Sequence, residues 1–238
     1  MQIIVLSLSP ATLRLTGIGC ERKEAMARST AVSTRASAEQ LRKGPGPVIR
    51  RPRPAHGLEL AQRTFLACER VEMGALAAEL DVSQATIYRW FGSREQLLEQ
   101  VIDRTAREFL AVTRAEATGK GDARVLDFVR RFMEVTVTLD SVQAFVEREP
   151  QLALRLLLGE GGVIRSTLRD AVAEVVAETR SPEEAQALES EFDVIVEIGV
   201  ALEWATFAIG DKPRIDHAIH VIGMLLAAHR AGLEPVRS

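Results

Sequence analysis

The chain is 238 residues long, 47% hydrophobic and 26% charged, proportions of a globular protein with room for one large domain or two small ones. Its two cysteines, Cys20 and Cys68, are too few for a disulfide scaffold or a zinc cluster, and fit a reducing cytoplasm. No apolar run approaches the roughly 20 residues of a membrane span, and the N-terminal stretch lacks the basic start of a secretory signal.

The net charge of −3 is unevenly spread. Residues 1–57 carry ten Lys/Arg against three Glu, residues 58–105 five against eight acids, and residues 106–238 fifteen against twenty-two. Residues 1–55 are therefore predicted to form a flexible basic leader that meets an anion, with Arg50, Arg51 and Arg53 set among prolines just ahead of the first helix. Two other readings stay open: a solvated tail with no partner, and translated sequence upstream of a natural start at Met26.

From Leu58 onward the periodicity predicts helices joined by short loops, hence an all-α fold. Leu58, Leu60, Ala61, Phe65 and Cys68 form the apolar face of a first helix. A second runs from Met73 to Leu80, a turn follows at Asp81-Val82, and a third runs from Ser83 to Trp90. Ser93 caps a long fourth helix reaching about Ala117, and Asp122 caps the next after a linker at 118–122. Further helices are expected at about 123–139, 141–148, 150–158 and 163–179. Another opens at Ser181-Pro182 and runs to about Gly210, and a last covers about 214–231, stopped by Gly232. Gly159-Glu160-Gly161-Gly162 is read as a helix-ending loop, since no strand precedes it as a phosphate cradle requires.

Residues 76–98 read L-A-A-E-L-D-V-S-Q-A-T-I-Y-R-W-F-G-S-R-E-Q-L-L. Two short helices across a tight turn, the second opening with polar Gln84-Ala85-Thr86, have the layout of a helix-turn-helix. Leu76, Ala77, Leu80, Val82 and Ile87 hold the pair together. Ser83 caps the second helix and exposes backbone amides to a phosphate. Tyr88 and Trp90 present polar ring edges to a sugar-phosphate chain. Arg89 reaches a guanine edge or a phosphate, and Arg94 a phosphate. The bland reading is two amphipathic helices in a bundle, against which stands the cost of grouping Tyr88, Arg89 and Trp90 beside Gln84 and Thr86 with no partner.

Here the sequence resembles the TetR family of bacterial transcriptional regulators, through Val82-Ser83-Gln84-Ala85-Thr86-Ile87-Tyr88-Arg89-Trp90-Phe91 followed by Ser93-Arg94-Glu95-Gln96-Leu97-Leu98. The resemblance implies a helix-turn-helix domain over 56–105 and a larger helical effector-binding and dimerisation domain over 106–238. It places DNA contacts on Ser83, Gln84, Ala85, Thr86, Tyr88, Arg89, Trp90 and Arg94. Two positions depart from the family: Asp81 stands for the usual turn glycine, and Glu72 for a phosphate-touching threonine, so no contact is carried onto Glu72. The stretch I-V-E-I-G-V-A-L-E-W-A-T-F-A-I-G, from Ile195, resembles a QsdR-like branch linked with lactone breakdown, which implies an acyl or lactone effector.

In the larger domain, Phe128, Phe132, Met133, Val137, Phe145, Leu154 and Leu158 read plainly as core. By resemblance, the same residues enclose a pliable apolar effector pocket. The last two helices carry two apolar stripes each, one for the chain's own core and one open to a second copy. Ile215, Ile219, Ile222 and Leu226 are taken as the partner-facing stripe of a homodimer; a monomer core helix is the alternative. His217 and His220 lack a third ligand for a metal, Cys68 is read as a buried thiol, and no arrangement of catalytic residues or cofactor site stands out. The expected protein is a cytoplasmic dimer that binds a palindromic DNA operator and is released by a small apolar effector. Its rivals are a ligand-independent DNA-binding protein and a helical carrier or enzyme.

Overall fold

Arg53 holds an extended backbone (φ −122°), and Pro54, whose missing N–H costs nothing at a helix start, opens α1 (Pro54–Leu66). The computed structural model describes residues 52–158, 163–205 and 212–231. The leader through Arg51, the 159–162 loop, the 206–211 segment holding the expected helix end at Gly210, and the Gly232 stop lie outside the described residues.

The next three helices follow the spacing of the sequence closely. α2 (Met73–Glu79) ends in a turn where Asp81 takes φ +52° and Val82 N–H donates to the Ala77 carbonyl at 3.0 Å. Aspartate tolerates this left-handed conformation better than most residues do. Ser83 caps α3 (Gln84–Phe91), its Oγ accepting from Thr86 N–H at 3.2 Å. Gly92, at φ +73°, reverses the chain into α4 (Arg94–Glu116). That helix starts under a reciprocal cap: Ser93 Oγ accepts from Gln96 N–H at 3.1 Å, and Gln96 Oε1 accepts from Ser93 N–H at 2.9 Å. α4 then crosses residue 105, where the two domains were expected to part, without interruption.

The body comprises α5 (Asp122–Thr138), α6 (Asp140–Arg148), α7 (Pro150–Leu158), α8 (Val163–Thr179), α9 (Pro182–Ala187), α10 (Glu191–Val200) and α11 (Ile215–Arg230). Asp122 is not the cap of α5. Gly121, at φ +55°, takes that position, and the Asp122 carboxylate pairs with Arg180 after α8 and Arg230 at the end of α11. The single helix expected from Ser181 is broken. Ser181 and Glu184 cap α9 reciprocally, but Leu188 turns fully inward after it and the chain restarts at α10. α10 then passes into a π-helical turn, Ala201–Ala205. Cys68, read as a buried thiol on the first helix, lies just past α1 at φ +58° and is partly exposed.

Two large clusters of buried apolar side chains organise the molecule. One joins α5, α8, α10 and α11 around Phe128, Met133, Val175, Phe192 and Ile195. The other fills the head formed by α1–α4, yet also includes Phe145, Ala153 and Ile164 of the body. The partner-facing stripe is corrected here. Ile222 and Leu226 are fully buried in the protomer's own core, and Ile215 and Ile219 pack partly buried against it. The faces open to solvent carry Val194 on α10 and Met224 on α11, 38% and 53% exposed. Ala218 and Leu225 of the other stripe also pack into this core, so both stripes of the last helix serve the protomer, and the exposed Met224 belongs to neither.

Candidate nucleic-acid interface

α3 is held from beneath and left open above. Ile87 and Phe91 point into the head core, while Gln84, Ala85, Tyr88 and Arg89 are exposed along the outer face with Ser83 ahead of them. Tyr88 is 51% exposed, one of three large hydrophobic side chains so open among the described residues. Thr86 is half-buried, and its hydroxyl lies 3.0 Å from Ser83 Oγ. Trp90 is half-buried too, with its ring set edge-on against Phe91 at 6.1 Å between centroids.

One glycine sets this geometry, and a second stands beside it. A Cβ on Gly57 of α1 would stand 2.9 Å from the Phe91 ring, so only glycine lets α3 seat so closely. A Cβ on Gly74 would meet the Gln84 amide at 2.6 Å, where the start of α2 leans on the start of α3. Sequence reasoning counted Ala77 among the residues that hold α2 and α3 together and did not single out Gly57.

Arg94 is occupied elsewhere than expected. Its guanidinium donates two hydrogen bonds of 2.7 Å to the Glu149 carboxylate, and its Nε donates to the Val71 carbonyl at 2.6 Å. Glu149 sits between α6 and α7, so this fork joins the head to the body. The bond to Arg94 holds the Glu149 carboxyl below the usual carboxylate range, and the same bond raises Arg94. With both partners largely covered and three of its five N–H groups engaged, Arg94 joins the head to the body. Glu72, the acid that departs from the family pattern, pairs with Arg70 at 2.8 Å, which offsets its charge on this surface.

Beneath the head lies a narrow apolar cavity. Phe65 of α1 and Ile102, Thr105, Ala106 and Phe109 of α4 line it from one side. Phe132, Thr136, Leu139, Val142, Phe145, Ile164, Leu168, Val200 and Trp204 line it from the other. A smaller neighbouring cavity is lined by Phe128, Phe132, Met133 and Glu203 among others, and the two share Phe132, Leu168 and Val200. Of the expected pocket residues, Phe128, Phe132, Met133 and Phe145 thus line a cavity. Val137 and Leu154 line neither, and the Leu158 side chain lies outside the described residues. The contributions of α1 and α4 were missed because their apolar faces read as head core alone. Glu203 is 3% exposed, and burial pushes its carboxyl up to about 8. His217 and His220 are exposed, and no cluster of potential metal ligands occurs among the described residues. No described helix is long and apolar enough to cross a membrane.

Known proteins share both halves of this arrangement. Residues 67–101 match the family model of bacterial regulatory proteins of the tetR family, and residues 120–227 match that of the tetracyclin repressor-like C-terminal domain. The structure of the R. erythropolis transcriptional repressor QsdR, from the TetR family, is similar with a TM-score of 0.65 and 27% identity, covering 73% of this chain and 94% of that one. No curated protein sequence matches the chain significantly. A recognition helix seated on a three-helix support, continuous with a helical body that matches its own family model, places this chain in the TetR family of DNA-binding transcriptional regulators.

Proposed function

We propose that the protein is a cytoplasmic, homodimeric repressor that binds a two-fold symmetric operator and leaves it when a small apolar effector fills the cavity beneath the head. One observation carries this reading: the cavity wall is built from both the head, through Phe65 and Ile102, and the body, through Phe145 and Trp204. A molecule held there contacts both domains at once and so biases how they sit together. An architectural protein without a ligand would have no use for such a space. The similarity to a repressor supports the sign of regulation.

The DNA-contacting set is Ser83, Gln84, Ala85, Thr86, Tyr88, Arg89 and Trp90, with Tyr88 and Arg89 foremost because they stand free on the outer face. Val194 and Met224 belong to the face that meets a second copy, which sets two recognition helices against two half-sites. The test is a gel shift at fixed salt with DNA flanking the coding region. Arg89→Ala is expected to lose about 1–3 kcal/mol of binding and relax specificity at one base. Unaltered binding by both Arg89→Ala and Tyr88→Ala would reject the interface.

A further inference from the structure

DNA is a polyanion, yet the head that carries the recognition helix has no excess of positive charge. Residues 58–105 hold five Arg against eight acids. Three of those arginines are already paired: Arg70 with Glu72, Arg94 with Glu149 and Arg104 with Glu108. Affinity for a duplex depends strongly on cations that displace counterions from its phosphates. The positive charge lies instead just ahead of α1, where residues 40–53 carry Arg42, Lys43, Arg50, Arg51 and Arg53 and no acid.

The start of α1 shows where that charge is attached. Gly57 lies against the rings at the end of α3, since a Cβ on it would stand 2.9 Å from Phe91 and 3.5 Å from Trp90. Arg53 is one helical turn ahead, and its carbonyl accepts from Gly57 N–H at 3.3 Å. Its own N–H donates to His56 Nδ1 at 3.2 Å, which fixes the direction from which the chain enters the helix. Arg53 is extended (φ −122°, ψ 161°) and exposed, as are Pro54, Ala55 and His56, and the first turn holds no acid. Phe65, near the other end of α1, lines the cavity towards the body. The basic segment therefore joins the head at the Trp90 end of α3, beside exposed Tyr88 and Arg89 and remote from the cavity.

We propose that residues 40–53 act as a second DNA-binding element: with α3 in the major groove, this arm crosses to the adjacent minor groove, where Arg50, Arg51 and Arg53 neutralise phosphates along its edges. The proposal rests on the operator reading above and adds a contact to it. The minor groove is about 6 Å wide, too narrow for a helix about 10 Å across but open to an extended chain. Pro52 and Pro54 favour extended backbone. Four extended residues span about 12 Å, the width of the major groove, so the arm reaches the flank of the site from the end of α3. Its contribution is one of charge, and the choice of bases stays with α3.

The test uses the full chain and the duplex immediately upstream of its coding region. Hydroxyl-radical footprinting reads the minor groove, and fluorescence anisotropy across a salt series reads affinity. Arg50→Ala, Arg51→Ala and Arg53→Ala combined should make the slope of log K against log salt shallower by about 2–3, since each neutralised phosphate contributes about 0.9. Affinity at low salt should fall about tenfold or more. Protection flanking the α3 site should vanish while protection over the site itself remains. The corresponding triple lysine variant keeps the charge and should stay within about threefold of wild type. An unchanged slope in the alanine variant would overturn the arm, as would a shallower slope with flank protection intact, or a loss that lysine does not restore. Arg89→Ala and Tyr88→Ala in the same assay keep the two readings apart. Wild-type binding by both, with affinity lost in the arm variant, would leave the arm standing and reject the α3 interface. The converse would keep α3 and remove the arm.

Discussion

Glu203 shows how one buried acid ties stability to pH. Its carboxyl is pushed from 4.5 up to about 8 by burial, so the folded chain keeps a proton that the unfolded chain gives up. The stabilising contribution is whole below the unfolded value and is lost as pH rises through the folded one. Wild-type melting temperature should therefore fall relative to Glu203→Gln between about pH 5 and pH 8, then run parallel above. Parallel curves across the whole range would show that Glu203 is ionised in the fold. Sequence alone did not single out this residue, because a glutamate in a helical stretch reads as surface. Only the side chains packed around it make it exceptional. The exposure of Tyr88 and Arg89 was legible for the opposite reason: it follows from local helical spacing, which the sequence carries whole.

Among the elements, the junction of α4 with the α6–α7 turn matters most. Arg94's partner Glu149 lies 55 residues away, beyond the reach of any local pattern. The helix starts at Ser83, Ser93 and Ser181 were readable because each cap closes within three residues. The break between α9 and α10 was not, since it is Leu188, sinking into a core assembled from distant segments, that turns the chain. Arg94→Ala and Glu149→Ala should each destabilise the fold by about 1–3 kcal/mol, and the double variant should cost less than their sum. Thermal or urea unfolding of the four proteins measures this cycle; full additivity would deny the pairing. The Glu149 share should also fade in acid: its carboxyl sits below 4.5, so the stabilisation holds above that value and is lost as pH falls through the folded one.

At the scale of the whole molecule, the corrected stripes give opposite expectations for two neighbouring positions. Ile222 is fully enclosed by its own protomer, so Ile222→Glu should unfold the chain by placing a lone carboxylate in the core, at a cost of several kcal/mol. Met224 is 53% exposed, so Met224→Glu should leave the protomer folded and shift sedimentation from dimer to monomer, with operator affinity falling sharply. A dimeric Met224→Glu would mean that the second copy docks on another face.

The apolar cluster that begins around Leu60 and Ile87 in the head continues through Phe145, Ala153 and Ile164 without a seam. A regulator built this way resists being treated as interchangeable parts. A chimera that grafts residues 52–117 onto the body of another regulator would present Phe65 and Ile102 to an unmatched surface, however well its recognition helix is preserved. On the proposed interface, transplanting the DNA specificity would need far less: the exposed positions of α3 alone, exchanged on an otherwise intact chain. The parts list for engineering new operators therefore ends at the outer face of one helix, and the inner face stays with the body that shaped it.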